Sequence, residues 1–300
     1  MSEPSIIFQD SETNLTLIYP QALHKQKFGN KKMNLKTDDM VIKFDAHFNF
    51  YFPMDYHKDQ SPCGFDFMKI LTHEVLHGLG VYSSLKELNP HLISPQQAIR
   101  NIKARNVTVY ENDFLITLFD RNVVAGKTNL SFVSFAKQLR DFGPIVTDDN
   151  QDLELIIYNY PHHRVLKGLY EASKNQLYFR TLTNQKVPLV PSSFFSFKPP
   201  SHLDESTYAN TKDESMVAGS FSGTGLHELF NRDERWTTSP FGPAALEILA
   251  TLGYKLNPNP SYEDSLQSFY AQYRKLPHDQ TDSFLFRISP WKYFCLHMVF

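Results

Sequence analysis

The stretch "LTHEVLHGLG", residues 71–80, sets two histidines four residues apart, puts a glutamate directly after the first, and ends in two glycines. Residues four apart share a helix face about one turn apart, so His73 and His77 can aim imidazole nitrogens at one point. Zinc suits such a pair, because it accepts imidazole nitrogen at roughly 2.0–2.1 Å and prefers four ligands in a tetrahedron. Glu74 is too close in sequence to His73 to complete that tetrahedron, but it can reach a water held there, where a general base belongs. The bland alternative is two core histidines satisfied by hydrogen bonds. Placement on a helix that is apolar on one face and closed by glycine weighs against it.

Working outward, "FDFMKILTHEVLHGLG" carries apolar residues at Phe67, Ile70, Leu71, Val75 and Leu79, a spacing that predicts a helix buried on one face. Gly78 and Gly80 are expected to end it, since glycine tolerates the left-handed backbone found there. Before it, "MVIKFDAHFNFYF" (40–52) alternates apolar and polar residues and reads as strand; prolines and a glycine in "YFPMDYHKDQSPCG" then break it. After it, "SPQQAIRNIKARN" (94–106) reads as a short polar helix, and "VTVYENDFLITLFDRNVV" (107–124) as one or two strands. "LSFVSFAKQLRDFG" (130–143) has helical periodicity, whereas "LELIIYNY" (153–160) and "NQLYFRTL" (175–182) read as strands. The proline-rich "KVPLVPSSFFSFKPPS" (186–201) is expected to be a loop. "SPFGPAALEILATLGYKL" (239–256) has prolines suited to a helix start, an apolar face and a stop at Gly253. A last helix is expected near Leu266 to Arg274, followed by a tail.

A chain of 300 residues that is 41% hydrophobic can bury a large core, and one compact unit of catalytic size is expected. The net charge of −2, with no basic run interleaved with aromatics, leaves no footprint for nucleic acid. No apolar run approaches about 18 residues, so no transmembrane helix is expected. The polar, acidic start shows no export signal, which leaves a cytoplasmic location open, though acceptor sequons at Asn14, Asn106 and Asn129 are compatible with secretion. Cys63 and Cys295 could form one bridge; two separate thiols is the plainer reading.

Two histidines leave a hydrolytic zinc one ligand short. His24, His47, His57 and His91 lie before the helix or in polar segments near its ends, and His162 and His163 sit in a turn-like context. His278 and His297 belong to the tail. His202, in "PPSHLDEST", and His227, in "GTGLHELF", remain as third-ligand candidates. A carboxylate ligand fits less well: Glu111 stands in a segment that reads as strand or turn.

"HEVLHGLGVYSS" resembles the start of the metzincin motif His-Glu-x-x-His-x-x-Gly-x-x-His, matched through Gly80 but with Ser83 where the third histidine usually stands. Leishmanolysin-like peptidases make the same departure, with a long insertion before the third histidine and a methionine turn soon after it. Here "SHLDESTYANTKDESMVAG" supplies His202 and then Met216, and "GPAALEILATLGY" is similar to their closing helix. Fungal and bacterial secreted proteins with "HELxHGLGFxSS" share these features.

The resemblance spans roughly Met40 to Leu256 and implies an α+β, metzincin-like fold. It would comprise a twisted N-terminal sheet with the zinc helix, then a C-terminal subdomain with Met-turn and closing helix. The implied organisation is an N-terminal extension (1–39), a catalytic domain (40–256) and a C-terminal helix and tail (257–300). Within the domain fall sheet edge and zinc helix (40–80), an insertion (81–201), and third ligand, Met-turn and closing helix (202–256).

It further implies a secreted zinc endopeptidase with one catalytic Zn2+ on His73, His77 and His202, Glu74 as general base, Met216 beneath the metal, and a peptide or protein substrate. His227 is the reserve ligand. Asp204 is a candidate to orient a ligand imidazole, and Tyr208 to stabilise an oxyanion. The strand before the zinc helix is a candidate to pair with extended substrate. Cys63 as a thiolate that blocks zinc is the lesser reading beside a buried thiol. The rival functions are a catalytically inactive, zinc-stabilised binding protein of the same fold and a metal-free structural protein.

Overall fold

The computed structural model describes residues 5–29, 35–45, 47–51, 64–89, 91–102, 107–126, 129–148, 161–194, 200–219, 225, 226, 229, 241–256, 283–289 and 295–299. The chain forms two compact units. The first comprises Met1–Ser5, Pro20–Leu79 and Tyr208–Phe300; the second comprises Ile6–Tyr19 and Gly80–Thr207. Among the described residues, no helix is long and apolar enough to cross a membrane.

In the first unit, the alternation from Met40 becomes a strand, Met40–Asp45, with Met40, Ile42 and Phe44 buried and Lys43 and Asp45 exposed. It pairs antiparallel with Ser283–Ser289, which in turn pairs with Cys295–Val299. The expected tail therefore contains two strands. The run to Phe52 is not one strand: it resumes as Phe50–Tyr51, parallel to Phe65–Asp66. Aromatic packing seals this end, with the Phe67 ring 5.0 Å from Phe44 and 5.6 Å from Phe50.

The motif helix spans Phe67–Gly78. Asp66 caps its start, accepting from Met68 N at 2.8 Å and Lys69 N at 3.1 Å, which satisfies two amides that have no partner inside a helix. The closing helix, Pro243–Leu252, ends at Gly253, whose φ of 106° is left-handed.

The second unit is built around the long strand Val107–Thr117. It pairs antiparallel with Gln96–Ile102 and Ile145–Asp148, and its Ile116 and Thr117 pair parallel with Leu17 and Ile18. Residues 96–102 are thus strand, not the expected polar helix: a polar segment with no apolar face to bury gains more from the ladder of its neighbour than from isolated helix formation. A four-stranded antiparallel sheet joins Leu130–Ser131, Val123–Ala125, Leu177–Arg180 and Lys186–Leu189, so the expected proline loop begins as a strand. Helices Phe132–Arg140 and His162–Ser173 pack in the same unit, and the latter places His162 and His163 in a first turn of helix rather than a turn-like loop. The readings for 153–160 and for Leu266 to Arg274 lie outside the described residues.

Candidate metal centre

His73 and His77 project from successive turns of the motif helix, and their Nε2 atoms lie 3.0 Å apart. His73 Nδ1 meets the backbone carbonyl of Ser215 at 2.7 Å. A carbonyl oxygen only accepts, so Nδ1 carries the proton and Nε2 keeps its lone pair, directed toward His77. Two nitrogens on one tetrahedral zinc stand about 3.3 Å apart, from bonds of roughly 2.0–2.1 Å, close to the separation observed. Binding the second ring nitrogen to a carbonyl is also the usual way a protein orients a metal-ligating histidine. The donor chemistry of this pair therefore fits zinc.

Ser215 belongs to the short 3-10 helix Lys212–Met216, which knits the first unit together residue by residue. Asp213 caps the closing helix, accepting from Ala244 N at 3.1 Å and Ala245 N at 3.0 Å. Burial pushes the Asp213 carboxyl up, and those two amide bonds partly offset the shift. Glu214 pairs with Lys69 Nζ at 2.7 Å and also accepts from Asn210 N. Met216, the residue singled out as the Met-turn, is fully buried next to the Ser215 carbonyl. Lys69 was missed by periodicity, which placed Ile70 in the buried face; Lys69 is 0% exposed and Ile70 half-buried. The available signal was a lysine four residues before His73 and eight before His77, on the face both histidines share.

In the second unit, His202 is buried and held by its backbone: Val190 N donates to the His202 carbonyl at 3.0 Å, and Leu203 bridges to Leu189. The hairpin Leu177–Arg180/Lys186–Leu189 is thus what presents this histidine. His73 and His77 thus belong to the first unit and His202 to the second. Asp204, a candidate to orient a ring, instead caps a turn of helix: its Oδ2 accepts from Thr207 N at 3.1 Å and Thr207 Oγ1 at 2.8 Å. Glu74 is half-buried on the motif helix, and Tyr208 is half-buried at the end of the helix Glu205–Tyr208. Glu111 lies in the strand Val107–Thr117. His227, His57, His278 and Cys63 fall outside the described residues, so the reserve ligand and any Cys63–Cys295 bridge do as well.

Ser83, three residues past Gly80, has a use of its own. It donates to the buried carboxylate of Asp120, which also accepts from Ser84 N at 2.8 Å, Ser84 Oγ at 2.7 Å and Thr117 N at 3.2 Å. Burial pushes the Asp120 carboxyl up while these donors hold it down. The two serines after the motif are therefore a backbone anchor for the chain leaving the glycines.

The chain belongs to the SPBPB7E8-like family, whose family model matches residues 2–279. No curated protein and no solved structure matches it.

Proposed function

We propose that the protein is a zinc-dependent endopeptidase of metzincin type. The observation that carries this reading is the donor pair on the motif helix: the Nε2 atoms of His73 and His77 lie 3.0 Å apart, close to the separation of two nitrogens on one zinc. The Ser215 carbonyl on His73 Nδ1 supports it further, because it leaves His73 Nε2 as a lone-pair donor. His73, His77 and His202 would hold the ion. Bound zinc supplies a Lewis acid that polarises a carbonyl and lowers the pKa of water to about 7.

The rest is the work of the chain's own groups. Glu74, one residue beyond His73, takes the proton from the attacking water at its carboxylate and returns it to the departing amine nitrogen. An extended peptide is the fitting substrate: the strand Met40–Asp45 ends its described sheet, and main-chain pairing there binds peptides with little regard to sequence.

Zinc content by metal analysis and cleavage of an unstructured protein substrate test the proposal together. Glu74→Gln is expected to keep one zinc per chain and lose at least about 100-fold in kcat, the usual share of a general base. His202→Ala is expected to lose both zinc and activity. Full zinc in the wild-type protein with no hydrolysis of any peptide would favour the zinc-stabilised binding protein, and hydrolysis undiminished in Glu74→Gln would remove that residue from the scheme.

A further inference from the structure

We propose that the buried Lys69–Glu214 ion pair is a positioning device that aims the Ser215 carbonyl at His73 Nδ1 and so fixes the tautomer in which His73 Nε2 carries the lone pair that ligates. It rests on the metal site of the endopeptidase reading, whose residues it supplements with two that touch neither metal nor substrate.

The geometry is a pair of rungs between the same two elements. Lys69 on the motif helix meets Glu214 on the 3-10 helix at 2.7 Å, and one turn along, His73 meets Ser215 at 2.7 Å. Glu214 and Ser215 are adjacent, so fixing the first carboxylate fixes the direction of the next carbonyl. Both members of the ion pair are out of water, with side chains 0% and 6% exposed. Taking two charges out of water costs about as much as their attraction returns, and apolar residues of similar volume commonly do as well or better for stability. What such a pair contributes here is direction: a short, charge-assisted bond tolerates little displacement of either helix. Glu214 also accepts from the amide of Asn210, which fastens the other end of the turn.

The assignment predicts an effect on the imidazole that is separable from folding. Removing one charge alone would strand the other in the interior, so the informative variant removes both: Lys69→Met with Glu214→Gln, which keeps an acceptor for Asn210 N. Two quantities are read, zinc affinity by chelator competition and, in metal-free protein, the His73 tautomer from ring 15N shifts. The expected result is a melting temperature near that of the wild type, zinc affinity lower by about ten- to a hundredfold, and a His73 ring that shifts from the Nδ1–H form to a mixture. Unchanged affinity with an unchanged tautomer would overturn the proposal.

Should the double variant not fold, Lys69→Arg decides. It keeps the charge but lengthens and broadens the arm, and it is expected to weaken zinc binding; wild-type affinity in it would overturn the assignment. A wild-type protein that takes up no zinc would sink the endopeptidase reading instead, and the tautomer comparison would then judge the pair alone.

Discussion

Gly78 and Gly80 look alike in the sequence and differ in what they require. Gly80 adopts φ of 98°, the left-handed region that glycine enters without a steric cost, and it is the residue that turns the chain. Gly78 is the last residue of the motif helix, and a Cβ there would fall on the Cε, Sδ and Cγ atoms of Met40. Its value is space, not backbone freedom. Gly78→Ala is therefore expected to destabilise by about 1–3 kcal/mol through overpacking, despite alanine's better helix propensity. Urea unfolding measures this, and Met40→Val in the same chain should recover most of the loss. If Gly78→Ala were as stable as the wild type, Met40 would have to move away without cost. The sequence could mark both glycines as helix-ending, but not separate them, because the distinction depends on a side chain from a strand nearly forty residues earlier. The same limit hid Lys69: a lysine reads as solvent-facing until its partner, Glu214, is known.

At the scale of elements, the motif helix and the closing helix were legible because each carries its own signals: an apolar face, a capping side chain or proline at the start, a glycine past the end. Asp66 shows how much rests on one such signal. Besides Met68 N and Lys69 N, its carboxylate accepts from Leu226 N at 2.7 Å, so a single buried side chain both starts the helix and ties down a segment 160 residues away. Asp66→Ala should cost about 1 kcal/mol for the lost cap and a further 1–3 kcal/mol for the buried amide left without its acceptor. Asp66→Asn, which keeps one acceptor oxygen, should cost less, and equal midpoints for the two variants in denaturant titration would refute the capping argument. Strand 96–102 was illegible for the complementary reason. "QQAIRNI" has no periodicity of either kind, and its conformation is set by the strand Val107–Thr117 beside it. Partner-dependent elements of this sort account for the misreading there and in 186–189.

At the scale of the whole molecule, the candidate site was half legible. His73, Glu74 and His77 lie within one helical turn and a fixed spacing, so local geometry suffices; His202 is 125 residues beyond His77, and the residues alone could not choose between it and His227. The Ser215 carbonyl was invisible altogether, because a backbone acceptor has no residue type.

Titration is likewise a property of the folded whole, and His162 offers a measurement of it. It is 2% exposed in the second unit, its ring 5.3 Å from that of Phe142, and burial lowers its pKa from 6.5, with the Gly143 backbone opposing that shift in part. Below pH 6.5 the unfolded chain takes up this proton while the folded chain does not, so the stability held above that pH is lost as the pH falls through the folded value. The slope cannot exceed about 1.4 kcal/mol per pH unit for one proton. Asp120 and Asp213 act in the opposite sense, since their raised folded pKa values give stability present below 3.8 and lost as pH rises through those values. The histidine contribution is isolated by difference: between pH 7.5 and 5.5, His162→Leu should lose less melting temperature than the wild type. Parallel curves for the two proteins would mean that His162 titrates alike in the folded and unfolded chain.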